Sequence, residues 1–124
     1  MNFILALENA FAANKNPENA FAMAKYMKNN FPFFGIKTEE RRRIFKEIWK
    51  ENKEEVSADA RRIALELYSK QERELQYCAI EILIKELKGN YKKQDIQLIE
   101  KLMLNNSWWD SVDTIAKYIL GEYL

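Results

Sequence analysis

Helix breakers are nearly missing from this chain. Gly35, Gly89, Gly121, Pro17 and Pro32 are its only glycines and prolines in 124 residues, while Ala, Leu, Ile, Glu and Lys are abundant. A sheet protein needs turns at short intervals, so this composition specifies an all-α fold. With 48% of its residues hydrophobic, one domain of this length can bury a core without staples. Apolar residues recur three and four positions apart along the whole chain, which places them on successive helix faces.

The periodicity predicts seven helices. Residues 2–13 carry Phe3, Ile4, Leu7, Ala10 and Phe11 on one face. Asn16 before Pro17 is an N-cap with proline at N1, opening a second helix through about Lys28 with Ala20, Met23, Ala24 and Met27 inward. The two must fold back as a hairpin. Asn29 to Lys37 is a loop whose Phe31, Phe33 and Phe34 are too apolar for solvent, so it should fold over the end of the bundle. Gly35 can supply a positive φ there. Thr38 caps a third helix running to about Asn52, with Ile44, Phe45, Ile48 and Trp49 as its core face.

A fourth helix is expected from Ser57 to Ser69, with Val56 near its start and Ala60, Ile63, Ala64 and Leu67 inward. Ser69 then caps a fifth, with Glu72 completing the capping box, which ends at Gly89-Asn90 after about Lys88. That helix is apolar around more than half its circumference and needs neighbours on both sides. A sixth, Lys92 to Leu104, and a seventh, Ser107 to Leu120, finish the chain. Short loops and sequential apolar faces suit about seven antiparallel helices stacked as a helical-repeat solenoid, although no clean repeat period is visible and a closed irregular bundle is the other architecture compatible with the pattern.

Charge and chemistry narrow the function classes. The formal net charge is +1, but residues 1–62 hold twelve Lys/Arg against nine Asp/Glu. This mild basic bias is compatible with a phosphate backbone. No histidine is present, which excludes a His-ligated metal site and a Ser-His triad. Cys78 is alone and reads as a buried helical position, so there is neither a disulfide framework nor a thiolate zinc cluster. No metal or cofactor is expected. The absence of a visible signal peptide or long apolar run points to a cytoplasmic protein with no membrane partner.

Two clusters call for a chemical account. On the last helix, Trp108, Val112, Ile115 and Ile119 complete an apolar stripe, leaving Trp109 and Asp113 one turn apart at its edge. They are either margin packing with a capping carboxylate, or an electronegative, aromatic-walled site suited to a cation. Near the start of the third helix, Arg41, Arg42 and Arg43 fan around the circumference, so at least one faces outward. They form either a solvated, salt-bridged face or a cluster that meets an external anion.

Asn16-Pro17-Glu18, Met23-Ala24-Lys25-Tyr26-Met27-Lys28-Asn29, Phe34-Gly35-Ile36-Lys37-Thr38 with Arg41-Arg42, and Ser107-Trp108-Trp109-Asp110-Ser111-Val112-Asp113 together resemble the bacterial DNA alkylation repair family. These are HEAT-like-repeat DNA glycosylases that release cationic N3- and N7-alkylated purines from duplex DNA. The resemblance implies a C-shaped HEAT-like solenoid with a concave basic surface for alkylated double-stranded DNA, without flipping of the damaged nucleotide into a deep pocket. It implies Asp113 as the catalytic carboxylate and Trp109 as the indole against the lesion's deoxyribose. Tyr26 and the Gly35–Thr38 segment, with Lys37 and Thr38, are the implied DNA-facing residues, and the cationic cluster of Arg41, Arg42 and Arg43, on its anion-meeting reading, is expected to bind DNA with them. Lys37 stands where a neutral glutamine is expected by the resemblance, an ammonium that strengthens phosphate contact but repels a cationic base.

Relatives of this kind are about twice as long, and draw a second tryptophan and an arginine near the lesion from their other half. Residues 1–124 are therefore expected to be the N-terminal part of one glycosylase domain, monomeric when whole, inactive or nearly so alone, and open to self-association at its exposed end. The competing functions are a non-catalytic helical-repeat scaffold and a paralogue that binds distorted DNA without excision.

Overall fold

The computed structural model describes residues 3–29, 31–86, 95 and 97. Among these the fold is all-α, with six helices and no strand, consistent with a helical-repeat solenoid. They are α1 (Phe3–Ala13), α2 (Pro17–Tyr26), α3 (Thr38–Glu51), α4 (Lys53–Ala58), α5 (Ala60–Tyr68) and α6 (Arg73–Glu86). The expected sixth and seventh helices lie outside the described residues.

The core is built from the apolar stripes that helical spacing put together. Phe3, Leu7 and Phe11 of α1 are buried, and Phe3 meets Phe45 of α3 with ring centroids 6.2 Å apart. Phe45 in turn packs on Trp49 at 5.2 Å. Ile63, Ala64 and Leu67 of α5 lie against α6, whose Leu75, Cys78, Ala79, Ile82 and Leu83 are fully buried. This central position satisfies the expectation that the α6 sequence has neighbours on more than one side. At the start of α1, both oxygens of Glu55 accept from the Phe3 N–H (3.1 and 3.3 Å), a carboxylate at the positive end of the dipole.

Several helix boundaries differ from the sequence reading. The helix expected from Ser57 begins only at Ala60, because Asp59 leaves helical geometry (φ −130°, ψ 33°), and a short helix outside that expectation, α4, precedes it. Ser69 does not open α6. It closes α5, donating from Oγ to the Glu66 carbonyl at 2.7 Å, and α6 begins four residues later. Thr38 is the first residue of α3, and Lys37 takes the cap position without a side-chain hydrogen bond.

The second helix starts as expected, with the Asn16 side chain accepting from the Asn19 N–H at 3.0 Å. It is corrected in two respects. It has no buried residue: Ala20, Met23 and Ala24 are half-covered, and of the expected inward stripe only Met27, just past its end, is buried. It also stops at Tyr26, closed by a reverse turn. Lys28 N–H donates to Lys25 O (3.0 Å) and Asn29 N–H to Ala24 O (2.7 Å), with Lys28 and Asn29 at φ 55° and 60°. This is a Schellman closure with a lysine where glycine is preferred.

The loop from Phe31 to Lys37 does fold inward. Phe31 and Ile36 are buried, and Phe34 meets Phe11 edge-on at 5.8 Å. Gly35 has φ +96°, and a Cβ there would overlap the Asn16 carbonyl oxygen and lie 2.7 Å from the Ala20 nitrogen. Both obstacles are backbone, so neither can rotate away. Gly35→Ala is expected to destabilise the fold by about 3 kcal/mol, read as a lower denaturant midpoint. Lys28→Gly should do the reverse, raising stability by about 1 kcal/mol in the same titration by relieving the left-handed lysine.

Candidate nucleic-acid interface

The expected catalytic pair, Trp109 and Asp113, lies outside the described residues. The other expected site residues are all placed. Tyr26 ends α2 and is 72% exposed. Lys37 and Thr38 form the entry to α3 and are both exposed. Gly35, two residues earlier, abuts the first turns of α2, so the α3 entry and α2 are neighbours. Six residues, about 9 Å of helix, separate Ala20 at that contact from Tyr26. Lys25, Lys28 and Phe21 are also exposed on or just beyond α2.

The three arginines divide. Arg41 is 4% exposed and turns inward, so of the three arginines expected at the DNA it is the one the fold withdraws from the surface. It lies three and four residues before Ile44 and Phe45, on the same buried stripe. Its Nη1 lies 2.8 Å from Glu81 and 3.8 Å from Cys78 Sγ, and the guanidinium sits 5.3 Å from the Tyr77 ring. Burial disfavours the Arg41 cation, but Cys78 and Glu81 more than restore it, and its pKa is raised. Burial likewise pushes the Cys78 thiol up to about 12, against the opposing pull of Arg41 and with a further push from Glu81. Cys78 is thus a buried thiol that accepts from Arg41, in surroundings that disfavour the reactive thiolate.

Arg42 and Arg43 face solvent. Arg42 Nε lies 3.6 Å from Glu81, and Arg43 lies 3.8 Å from both Glu40 and Glu47. Exposed pairs of this length hold little energy, so both cations can exchange a carboxylate for a phosphate. A second basic pair sits on α5. Arg62 bridges Asp59 and Glu66 at the surface, whereas Arg61 grips the buried Asp95 with two bonds of 2.7 and 2.9 Å. The hydrogen bond to Asp95 raises the Arg61 pKa against a smaller desolvation effect.

Sequence reasoning missed the residue that fixes the α3 entry. Glu74, in the first turn of α6, is fully buried. Its Oε1 accepts from the Phe34 N–H (3.0 Å), and its Oε2 from the N–H groups of Gly35 (2.9 Å) and Ile36 (3.2 Å). Three main-chain donors on one carboxylate stabilise its charge without a cation. Arg73 beside it stacks on Phe31 at 4.0 Å, bonds Gln76, and donates its backbone N–H to Pro32 O at 3.0 Å. The available signal was Glu74 itself, four and eight residues before Cys78 and Ile82 on an otherwise apolar row. Among the described residues, no helix is long and apolar enough to cross a membrane.

A family model for the DNA alkylation repair enzyme matches residues 7–124. The fold is similar to a solved structure described as a predicted DNA alkylation repair enzyme from Enterococcus faecalis, with 33% identity and a TM-score of 0.67. That similarity covers 84% of this chain and 48% of the other, so the chain spans about half the length of that relative. No curated protein matches. With nearly its whole length accounted for by one model, the chain belongs to the DNA alkylation repair enzyme family.

Proposed function

We propose that a protein carrying this chain is a DNA glycosylase that hydrolyses the N-glycosidic bond of cationic N3- and N7-alkylated purines in duplex DNA. The observation that supports this reading is family membership over residues 7–124, a span that includes the Ser107–Asp113 run. The α3 entry and the exposed face of α3 supply the DNA contacts in this reading, through Lys37, Thr38, Arg42 and Arg43, together with the exposed Tyr26 at the end of α2.

The chemistry follows from the lesion. An alkylated purine carrying positive charge departs as a neutral base, so no strong general acid is required, in keeping with a chain that lacks histidine. Positive charge then develops on the deoxyribose. A carboxylate at Asp113 stabilises that charge more in the transition state than in the ground state, and can orient water toward C1′. The Trp109 indole adds a cation-favouring wall and excludes solvent. Contributions of ~3 kcal/mol from the carboxylate and ~1–2 kcal/mol from the indole are reasonable for groups of these kinds. Unmodified purines would have to depart as anions, and a site without a general acid gives that leaving group no help. Selection resides in the charge of the lesion.

In a single-turnover assay with a 7-methylguanine duplex, Asp113→Asn is expected to slow base release by roughly a hundredfold while changing affinity little. Equal rates for the two proteins reject the catalytic role, and tight duplex binding without release identifies a DNA-structure-binding paralogue instead. The arginines separate in a salt titration. Lys37→Ala or Arg42→Ala should weaken duplex binding and flatten the log–log salt slope by about 1. Arg41→Ala should leave the slope intact and lower stability by about 2 kcal/mol, since it removes a buried guanidinium that bonds Glu81 and fills space between α3 and α6.

A further inference from the structure

The Glu74 carboxylate is not used by its own helix. A glutamate in a first helical turn ordinarily serves the free N–H groups beside it. Here both oxygens leave α6 and reach amides 38 to 40 residues upstream, at Phe34, Gly35 and Ile36. The last of these immediately precedes Lys37, whose backbone (φ −71°, ψ 159°) launches α3. Two further main-chain bonds bracket the clamp. Arg73 N–H holds Pro32 O at 3.0 Å, and Asn16 N–H holds Phe34 O at 2.9 Å. From Pro32 to Ile36 the loop is therefore tied to α6 on one side and to the start of α2 on the other. A buried carboxylate is an expensive way to close a loop, since its desolvation must be met by every bond it accepts. An apolar side chain could fill the same space but would leave the buried N–H groups of Gly35 and Ile36, and the part-buried one of Phe34, without this acceptor.

We propose that Glu74 is a positioning residue for DNA recognition: by gathering the Phe34, Gly35 and Ile36 amides it holds Lys37 and Thr38 in the orientation that meets the duplex. The proposal rests on the reading of this segment as DNA-facing. Glu74 touches no DNA and acts by preorganisation, so that ordering of the loop is completed on folding and does not subtract from binding. Glu74→Gln replaces one acceptor oxygen by an NH2 group, opposing at least one of the three donors.

The test is a double-mutant cycle of Glu74→Gln and Lys37→Ala in the full chain. It is read by affinity for a labelled 7-methylguanine duplex and by amide hydrogen exchange. Glu74→Gln should accelerate exchange at residues 34–36 by about tenfold relative to the amides of α5, and weaken duplex binding by about three- to tenfold. Adding Lys37→Ala to that variant should then weaken binding less than it does in the wild type, because a loosened loop no longer presents the lysine. A merely structural role gives strictly additive losses, and that result overturns the proposal. Wild-type affinity in Lys37→Ala alone overturns the DNA-facing reading and this proposal with it. Should Glu74→Gln unfold, Glu74→Asp enters the same cycle, since it keeps the charge but withdraws it by one methylene. Unprotected amides at 34–36 in the wild-type protein would also overturn the proposal.

Discussion

Three backbone N–H groups converge on one buried carboxylate, and the described architecture depends on that convergence. Without Glu74, the Phe31–Lys37 segment has no acceptor for the amides of Phe34, Gly35 and Ile36, and the route from α2 to α3 loses its fixed path. Arg73 works on the same segment from the adjacent position, under the Phe31 ring and against Pro32. Arg73 and Glu74 are thus buried side by side at the start of α6, the carboxylate met by main-chain N–H groups and the guanidinium by the Phe31 ring and Gln76. Such groups add less to net stability than apolar packing of equal volume, and what they contribute is one defined arrangement of the loop.

Much of the architecture was legible in the sequence because it depends on local rules. Asn16-Pro17 starts a helix wherever it precedes an amphipathic run, and Gly35 has the positive φ assigned to it. The inward positions of α1, α3, α5 and α6 follow from spacing alone. What spacing does not reveal is what a face will meet. The α2 stripe is as regular as that of α1, yet it stays half-covered, because the contact made by α2 is the backbone approach of Gly35 rather than side-chain interdigitation. Ser69 is as good a residue for ending α5 as for beginning α6, and the choice falls to the tertiary ties that place the α6 start at Arg73.

The candidate interface was partly legible for the same reason. Three arginines in a row fan around a helix, so at least one faces outward, but the run itself does not say which; in the structure Arg41 is the one that shares the row of Ile44 and Phe45 and turns inward. Its pairing with Glu81, about two turns along α6 from Glu74, ties the first turn of α3 to α6 at a second point. α6 therefore holds the entry to α3 both through the loop backbone and through a buried guanidinium. Cations left on the exposed side, Arg42 and Arg43, have only loose surface carboxylates to displace, a condition suited to competition by a polyanion.

The clamp also dictates an order of events during synthesis. Gly35 and its acceptor are 39 positions apart, so the stretch that launches α3 leaves the ribosome well before the carboxylate that will lock it. Until α6 is made and docked, α1 to α3 must carry a frustrated turn whose amides are served by water alone. Maturation of that turn is consequently a late, non-local step, and its timing is set by the C-terminal side of the described helices rather than by the residues that compose it.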